Sequence, residues 1–391
     1  MLGLLAVAEL LGMSPWFAAS AAAPELMRQW DLSLGQSAWL TSAVQLGFVA
    51  GTLAAALLNL ADLWSSRAYF AGAALFAAAA NLGLLAVESF PIALVLRFLT
   101  GVALAGVYPP AMKMAATWFK AERGLAIGAV VGALTVGKAA PYLVEALGGA
   151  GLAPVLLATS GGALAAAVLI GAAYRDGPFA FPSRPFDWRL AGQVARLREL
   201  RLVTASYLGH MWELYSYWAW IAAFLAASAA ASRSAGQGDA VPTGLLAFGA
   251  IAVGALGCVW AGRMADRIGR ERVVSWSLAV SGSCALLVGF AFGKSLWILL
   301  PIVLVWGVAV IADSAQFSAL VTEVAPPHAV GTALTLQTSL GFLLTLLTIQ
   351  LVPPVVGVVG WQWAFGFLAV GPVIGIACIQ RLARLRTARG E

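Results

Sequence analysis

The chain has 391 residues, of which 61% are hydrophobic and only 10% charged, with a formal net charge of +6. Soluble domains average about 45–50% apolar and ~25% charged residues, so this composition excludes a water-soluble enzyme, a nucleic-acid binder and a disordered tail together. About 240 apolar residues are enough for twelve membrane spans of ~20 residues each, and the mean hydropathy of +0.90 agrees.

Apolar runs bounded by turn residues or charges predict twelve helices, near 2–23, 38–58, 68–87, 91–117, 124–146, 152–173, 202–225, 242–261, 273–292, 296–320, 331–352 and 361–380. Spans in lipid must be helical here, because a lone strand leaves its backbone groups unpaired. The first run ends in small residues, Ala18 to Ala23, like a signal-peptide cleavage site. No Lys or Arg precedes it and Glu9 lies inside it, so it reads as span 1.

Orientation follows from the basic residues. With both termini in the cytoplasm, the even-numbered connections and the tail hold 17 of the 23 Lys and Arg. The opposite side has only Arg28, Arg233 and Lys294. The expected location is an inner membrane, with both ends cytoplasmic. The connection 174–201, with Pro178, Pro182, Pro185 and an Arg-rich stretch, separates a six-helix unit over 1–173 from another over 202–380. Residues 381–391 read as a tail.

The two units match each other. At an offset of 204, Glu9-Leu10 meets Glu213-Leu214, Trp16 meets Trp220 and Asp62 meets Asp266. At 206 to 207, Gly101-Val102-Ala103 meets Gly307-Val308-Ala309 and Gly124 meets Gly331. Such a duplication is common in secondary transporters.

Three stretches resemble the major facilitator superfamily. Gly262-Arg-Met-Ala-Asp266-Arg267-Ile-Gly269-Arg270 is similar to its G-x-x-x-D-R-x-G-R loop motif. In the equivalent loop after span 2 only Asp62 and Arg67 survive, and Leu58 replaces the first glycine. Arg97-Phe-Leu-Thr-Gly101 resembles the family's R-x-x-x-G motif, and Trp118-Phe119 with Glu122-Arg123-Gly124 its usual entry to span 5. The resemblance implies an all-α fold of two pseudo-symmetric bundles rocking about a cavity lined by spans 1, 4, 7 and 10. It also implies a gate in which Asp266 meets the positive N-terminal end of span 5. Lys138 stands where drug exporters place a proline, which lowers the expectation of drug/proton antiport. Spans 5 and 11 are distantly similar to nitrate and organic-anion porters, but spans 2 and 8 lack the arginines that clamp nitrate.

Ionisable groups at mid-membrane cost at least ~2.5–3.5 kcal/mol each and tend to line cavities. Here they are Glu9, Arg97, Lys113, Lys138, Glu213 and Asp313, with Glu145 near a span end. On span 7, Ser206, His210, Glu213, Tyr217 and Trp220 step by 4, 3, 4 and 3 and share one face. Two readings fit that stripe, a solute or proton path and a polar–aromatic packing seam; the carboxylate favours the first. Glu9 with Trp16 mirrors it on span 1, or Glu9 snorkels to the interface. Trp306, Asp313 and Gln316 share a face on span 10. Arg97 either couples protons or satisfies backbone carbonyls, and Lys113 follows Pro109-Pro110, so helical phase does not give its direction.

The expected function is secondary transport of a small polar, anionic solute, coupled to protons through some of Glu9, Glu213, Asp313 and Arg97. A carboxylate moved between an apolar and a cationic setting takes up and releases a proton. The alternatives are proton-driven efflux of a metabolite or drug by the same fold, and a transport-dead membrane sensor or scaffold. The expected partners are the solute, protons and the lipid bilayer, with no nucleic acid, for a chain acting as a monomer. Cys258, Cys284 and Cys378 are isolated, and the two histidines make no Cys/His spacing, so neither metal nor cofactor is expected. No Walker motif occurs, which argues against ATP-driven transport by this chain alone.

Overall fold

The computed structural model describes all residues except 120–122, 149–150, 180–185, 237–240 and 389–391, and omits the side chains of residues 61, 62 and 123. Twelve helices have the length and apolarity to cross a membrane. Spans 1 to 6 are Leu2–Ala21, Leu34–Leu57, Ser66–Ala86, Phe90–Trp118, Gly124–Gly148 and Leu152–Ala173. Spans 7 to 12 are Arg198–Ser234, Thr243–Ile268, Arg270–Ala291, Leu296–Val324, Pro327–Trp363 and Gly366–Thr387. No strand occurs among the described residues.

All twelve expected spans are present, and the differences lie at their ends. Span 7 begins at Arg198, inside the stretch expected to be linker, and runs on to Ser234. Periodicity underestimates it because its ends are polar while its backbone stays helical. Span 11 continues through Pro353 and Pro354 to Trp363, with Gly360 at φ 71° marking a break near its end. Span 12 carries the helix to Thr387, into the expected tail. The linker holds its own short helix, Trp188–Arg196, whose N-terminus is capped by the Asp187 side chain.

Packing repeats between the halves. Span 1 lies against spans 5 and 6 as span 7 lies against 11 and 12, and the 2–4, 3–6 and 3–4 pairs recur as 8–10, 9–12 and 9–10. The bundles meet along two seams, 5 with 8 and 2 with 11. Glycine explains the tightest crossings, since its missing Cβ lets helix backbones touch. A Cβ at Gly101 would overlap the Val44 carbonyl, and one at Gly307 the Ala250 carbonyl. Likewise Gly51 faces the Val102 carbonyl and Gly257 the Val308 carbonyl. Every member of these pairs is displaced from its counterpart by 206 residues, so the duplication extends to individual crossings.

Several spans are interrupted near mid-depth. Span 1 tightens into a 3-10 turn at Ser14–Phe17, led by Pro15. Span 4 breaks between Leu104 and Tyr108, ahead of Pro109 and Pro110, and span 10 breaks at Asp313. The last two breaks also lie at equivalent positions in the two halves.

Candidate functional site

Arg97 organises the first bundle. It is fully buried, and its guanidinium donates to the backbone oxygens of Pro15 at 3.1 Å, Trp16 at 2.5 Å and Leu40 at 3.3 Å, and to Asn81 Oδ1 at 3.0 Å. Asn81 in turn donates to Thr159 and Ser160 on span 6. The 3-10 turn of span 1 frees carbonyls from the helical ladder, and a five-donor fork is suited to collect them. This is the carbonyl-binding reading of Arg97, and it holds Trp16 in place.

Trp16 projects into the seam between the bundles. Its ring lies 5.1 Å from Phe48 of span 2, 5.8 Å from Tyr215 of span 7 and 5.8 Å from Phe342 of span 11. Phe48 and Phe342 meet at 4.6 Å, and Tyr215 packs on Phe342 at 5.1 Å and on Trp218 at 5.2 Å. Each such pair contributes about 0.5–1.5 kcal/mol beyond area burial. Three of them, Trp16–Tyr215, Trp16–Phe342 and Phe48–Phe342, join one bundle to the other.

Lys138 of span 5 occupies this aromatic cluster. Its ammonium lies 3.8 Å from the Trp16 ring centroid, 4.6 Å from that of Tyr215 and 5.1 Å from that of Trp218, and donates to the Tyr215 hydroxyl at 2.5 Å. Cation–π contacts of this kind strengthen when desolvated. Glu9 lies on span 1, which packs against span 5 in the same bundle. The two helices touch there, since a Cβ at Gly137 would overlap the Leu10 carbonyl. Glu9 is fully buried, and neither of its oxygens has a hydrogen-bond partner among the described residues. The indole N–H groups of Trp16 and Trp218 and the amide of Gln45 are likewise buried and unpartnered.

A second polar group lies inside the C-terminal bundle. Glu213 accepts from Trp306 Nε1 at 2.7 Å and from Ser281 Oγ at 2.8 Å. His210 Nδ1 lies 2.8 Å from Asp313 Oδ1, with both side chains buried. Tyr217 donates to the carbonyls of Ala250 and Val303, Trp220 to that of Ile349, and Ser206 to that of Gly375. The span 7 stripe therefore points into its own bundle and engages spans 8, 9, 10, 11 and 12. The seam is met instead by Tyr215 and Trp218. Those two are three residues apart, on a face that carries no carboxylate to draw attention.

The loop motif forms a polar lattice at one end of the molecule. Gly269 has φ 91°, a conformation that favours glycine, and it turns the chain from span 8 into span 9. Arg270 donates to Glu323 at 2.6 Å and to Gln316 at 2.8 Å, and lies 3.8 Å from Asp266. Arg386 of span 12 joins Glu271 at 2.8 Å and Glu323 at 3.0 Å. Gln316 thus serves this lattice rather than the seam. A Cβ at Gly124 would lie 3.2 Å from the Gly262 oxygen and 3.3 Å from Asp266 Oδ2, so Asp266 reaches the start of span 5. Arg67 and Arg267 are exposed and Lys113 is half-buried. The side chains of Asp62 and Arg123 lie outside the described residues. Cys258 and Cys284 are buried free thiols, Cys378 a half-buried one, and no metal-binding cluster occurs among the described residues.

Two bundles of six helices related by duplication, meeting on a buried charged seam, define a transporter architecture rather than an enzyme. The family model of the Major Facilitator Superfamily matches residues 5–233 and 234–390, and the chain belongs to that superfamily. Among solved structures it is similar to a point mutant of the nucleoside transporter NupG, with a TM-score of 0.71 at 15% identity over 97% of this chain and 98% of that one. At that identity the likeness concerns the fold. No curated protein matches the sequence.

Proposed function

We propose that the chain is a secondary active transporter of a small anionic solute, anchored by Lys138 and coupled to protons through Glu9. The observation that carries this reading is the position of Lys138: a buried ammonium in the seam, over the Trp16 ring of its own bundle and held to the opposite bundle by the Tyr215 hydroxyl and the rings of Tyr215 and Trp218. When the bundles rock apart, Tyr215 leaves with the C-terminal bundle and Lys138 stays with the N-terminal one. An anion then replaces the lost donor–acceptor contact with a charge-assisted one.

Coupling follows from charge balance. In this scheme the Lys138 ammonium on span 5 balances a carboxylate at Glu9 on span 1, where the two helices touch at Gly137 and Leu10. An anion at Lys138 removes that compensation, and an uncompensated buried carboxylate is costly. Proton uptake at Glu9 then accompanies binding, and the solute and proton move together. Glu213, Asp313 and His210 form a second buried polar cluster inside the C-terminal bundle, while the donors of Arg97 are committed to carbonyls and Asn81.

The test is uptake of small anions into proteoliposomes containing the purified chain, with and without an imposed pH gradient. Uptake by the native chain is expected to accelerate when the outside is acidic. Glu9→Gln is expected to abolish gradient-driven accumulation while preserving exchange of solute across the membrane. Full gradient-driven accumulation by that variant overturns the coupling scheme, and uptake confined to neutral or cationic solutes overturns the anion.

A further inference from the structure

The rings around Lys138 constrain the solute beyond its charge. Trp16 and Phe48 belong to the N-terminal bundle, Tyr215 and Phe342 to the other, and their mutual contacts hold the seam closed at mid-depth. All four are buried. A solute that enters here must part Trp16 from Tyr215 and Phe342, and Phe48 from Phe342. An aliphatic or heavily hydrated solute leaves those ring faces without equivalent partners. A flat π-system inserted between them restores face and edge contacts on both sides.

The polar atoms around the same cluster favour donors. The ammonium of Lys138, the indole N–H of Trp16 and that of Trp218 surround the rings, and both indole donors are buried without an acceptor. Unpaired buried donors are costly until a ligand supplies acceptors. A carboxylate offers about four lone-pair sites to such donors. Gln45, also unpartnered, lies one helical turn from both Ser42 and Phe48, which touch span 11 through Gln350 and Phe342.

We infer that the solute is a planar aromatic monocarboxylate, its ring sandwiched between Trp16 and the Tyr215–Phe342 pair and its carboxylate on Lys138. This rests on the anion-transport reading above and narrows it. The ring gives selectivity and the lysine gives the charge requirement, so the two parts fail separately.

The experiment measures binding of a small panel to the full-length purified chain by isothermal titration calorimetry. The probes are benzoate, nicotinate and 4-hydroxyphenylacetate, with cyclohexanecarboxylate as the non-aromatic acid and benzamide and benzylamine as neutral and cationic ring controls. At least one aromatic acid is expected to bind tenfold or more tightly than cyclohexanecarboxylate. Trp16→Leu is expected to reduce that ratio to about twofold or below. Lys138→Gln is expected to weaken every carboxylate while leaving the ratio in place. Phe342→Leu provides a second ring deletion should Trp16→Leu fail to fold. A ratio near one in the native chain overturns the aromatic inference and leaves the anion reading standing. Tighter binding of benzamide or benzylamine than of benzoate overturns the anion reading as well. Binding of none of the aromatic acids overturns the inference.

Discussion

Lys138 and Tyr215 form a hydrogen bond across the seam, from an ammonium on span 5 to a phenol on span 7 at 2.5 Å. Each residue is packed by its own bundle, Lys138 over the Trp16 ring of span 1 and Tyr215 against Phe342 and Trp218. The bond therefore reports directly on whether the bundles are together.

Removing the charge without much volume tests this link. Lys138→Gln is expected to lower the initial rate of solute uptake at least tenfold while the protein remains monodisperse in gel filtration. Tyr215→Phe keeps the ring and loses only the hydroxyl, and is expected to cost a few-fold in rate. Uptake rates in proteoliposomes at equal protein loading check both.

Arg97 is expected to matter for folding before transport. Arg97→Gln strands the carbonyls of Pro15 and Trp16 and the Asn81 amide, each worth about 1–3 kcal/mol when left unpaired in a buried site. Arg97→Lys is expected to rescue poorly, because one ammonium cannot reproduce the planar fork that serves four acceptors on three helices. Thermal unfolding in detergent, followed by thiol-reactive dye, checks the order native above lysine above glutamine.

The polar lattice at the loop motif should set the balance between conformations more than stability. Its pairs are partly exposed, with the Asp266 side chain 57% accessible and that of Arg270 26%. Exposed pairs contribute about 0–1 kcal/mol each. Asp266→Asn is thus expected to leave the melting temperature within a degree or two. It is expected to broaden the distance distribution between spin labels on the adjacent ends of spans 5 and 8. Double electron–electron resonance provides the readout.

Equivalent glycines should fail equivalently. Gly51→Val and Gly257→Val each drive a branched side chain into a carbonyl oxygen, of Val102 and Val308 respectively. Overpacking costs about 1–3 kcal/mol or more, so both variants are expected to lose thermal stability by similar amounts. A large loss in one and none in the other would contradict the repeat at that crossing.

Glu213→Gln separates the second polar group from the seam. Gln keeps one oxygen to accept from Trp306 Nε1 and offers its amide N–H to the Ser281 hydroxyl, which turns from donor to acceptor, so the bundle is expected to stay folded. If the group around Glu213 and Asp313 shares in coupling, accumulation under a pH gradient falls several-fold while exchange persists. Unchanged accumulation assigns that cluster to packing alone.

Much of the architecture was legible in the sequence because lipid imposes length and apolarity on every span, and duplication repeats the pattern. Gly101 and Gly307 were visible as a matched pair, and the structure gives the reason in two equivalent helix crossings. The site was less legible. Helical phase correctly grouped His210, Glu213, Tyr217 and Trp220, but a shared face does not reveal which neighbour it meets. Span 7 also carries Tyr215 and Trp218, which share no face with its carboxylate, and those two meet the seam. Phe48, Gln45 and Phe342 were invisible for a different reason. They are ordinary residues for a span, and only their meeting across two distant helices gives them meaning. Gln316 shows the converse, since its phase matched Asp313 yet the break at Asp313 turned it toward Arg270.

The crossing of spans 1 and 5 at Leu10 and Gly137 has an electrical consequence. It brings the helix that carries Glu9 against the helix that carries Lys138, two ionisable groups of opposite sign buried within membrane-spanning helices. Moving one charge through the whole field is worth about 2.3 kcal/mol per 100 mV. In the proposed cycle, one anion and one proton add nothing to the net charge of this pair. The loaded carrier is then indifferent to membrane potential and is driven by concentration and pH alone. Neutralising Glu9 alone removes the travelling proton: the anion-loaded site stays neutral and exchange carries no current, while the empty site keeps the unbalanced charge of Lys138 and its return becomes voltage-sensitive.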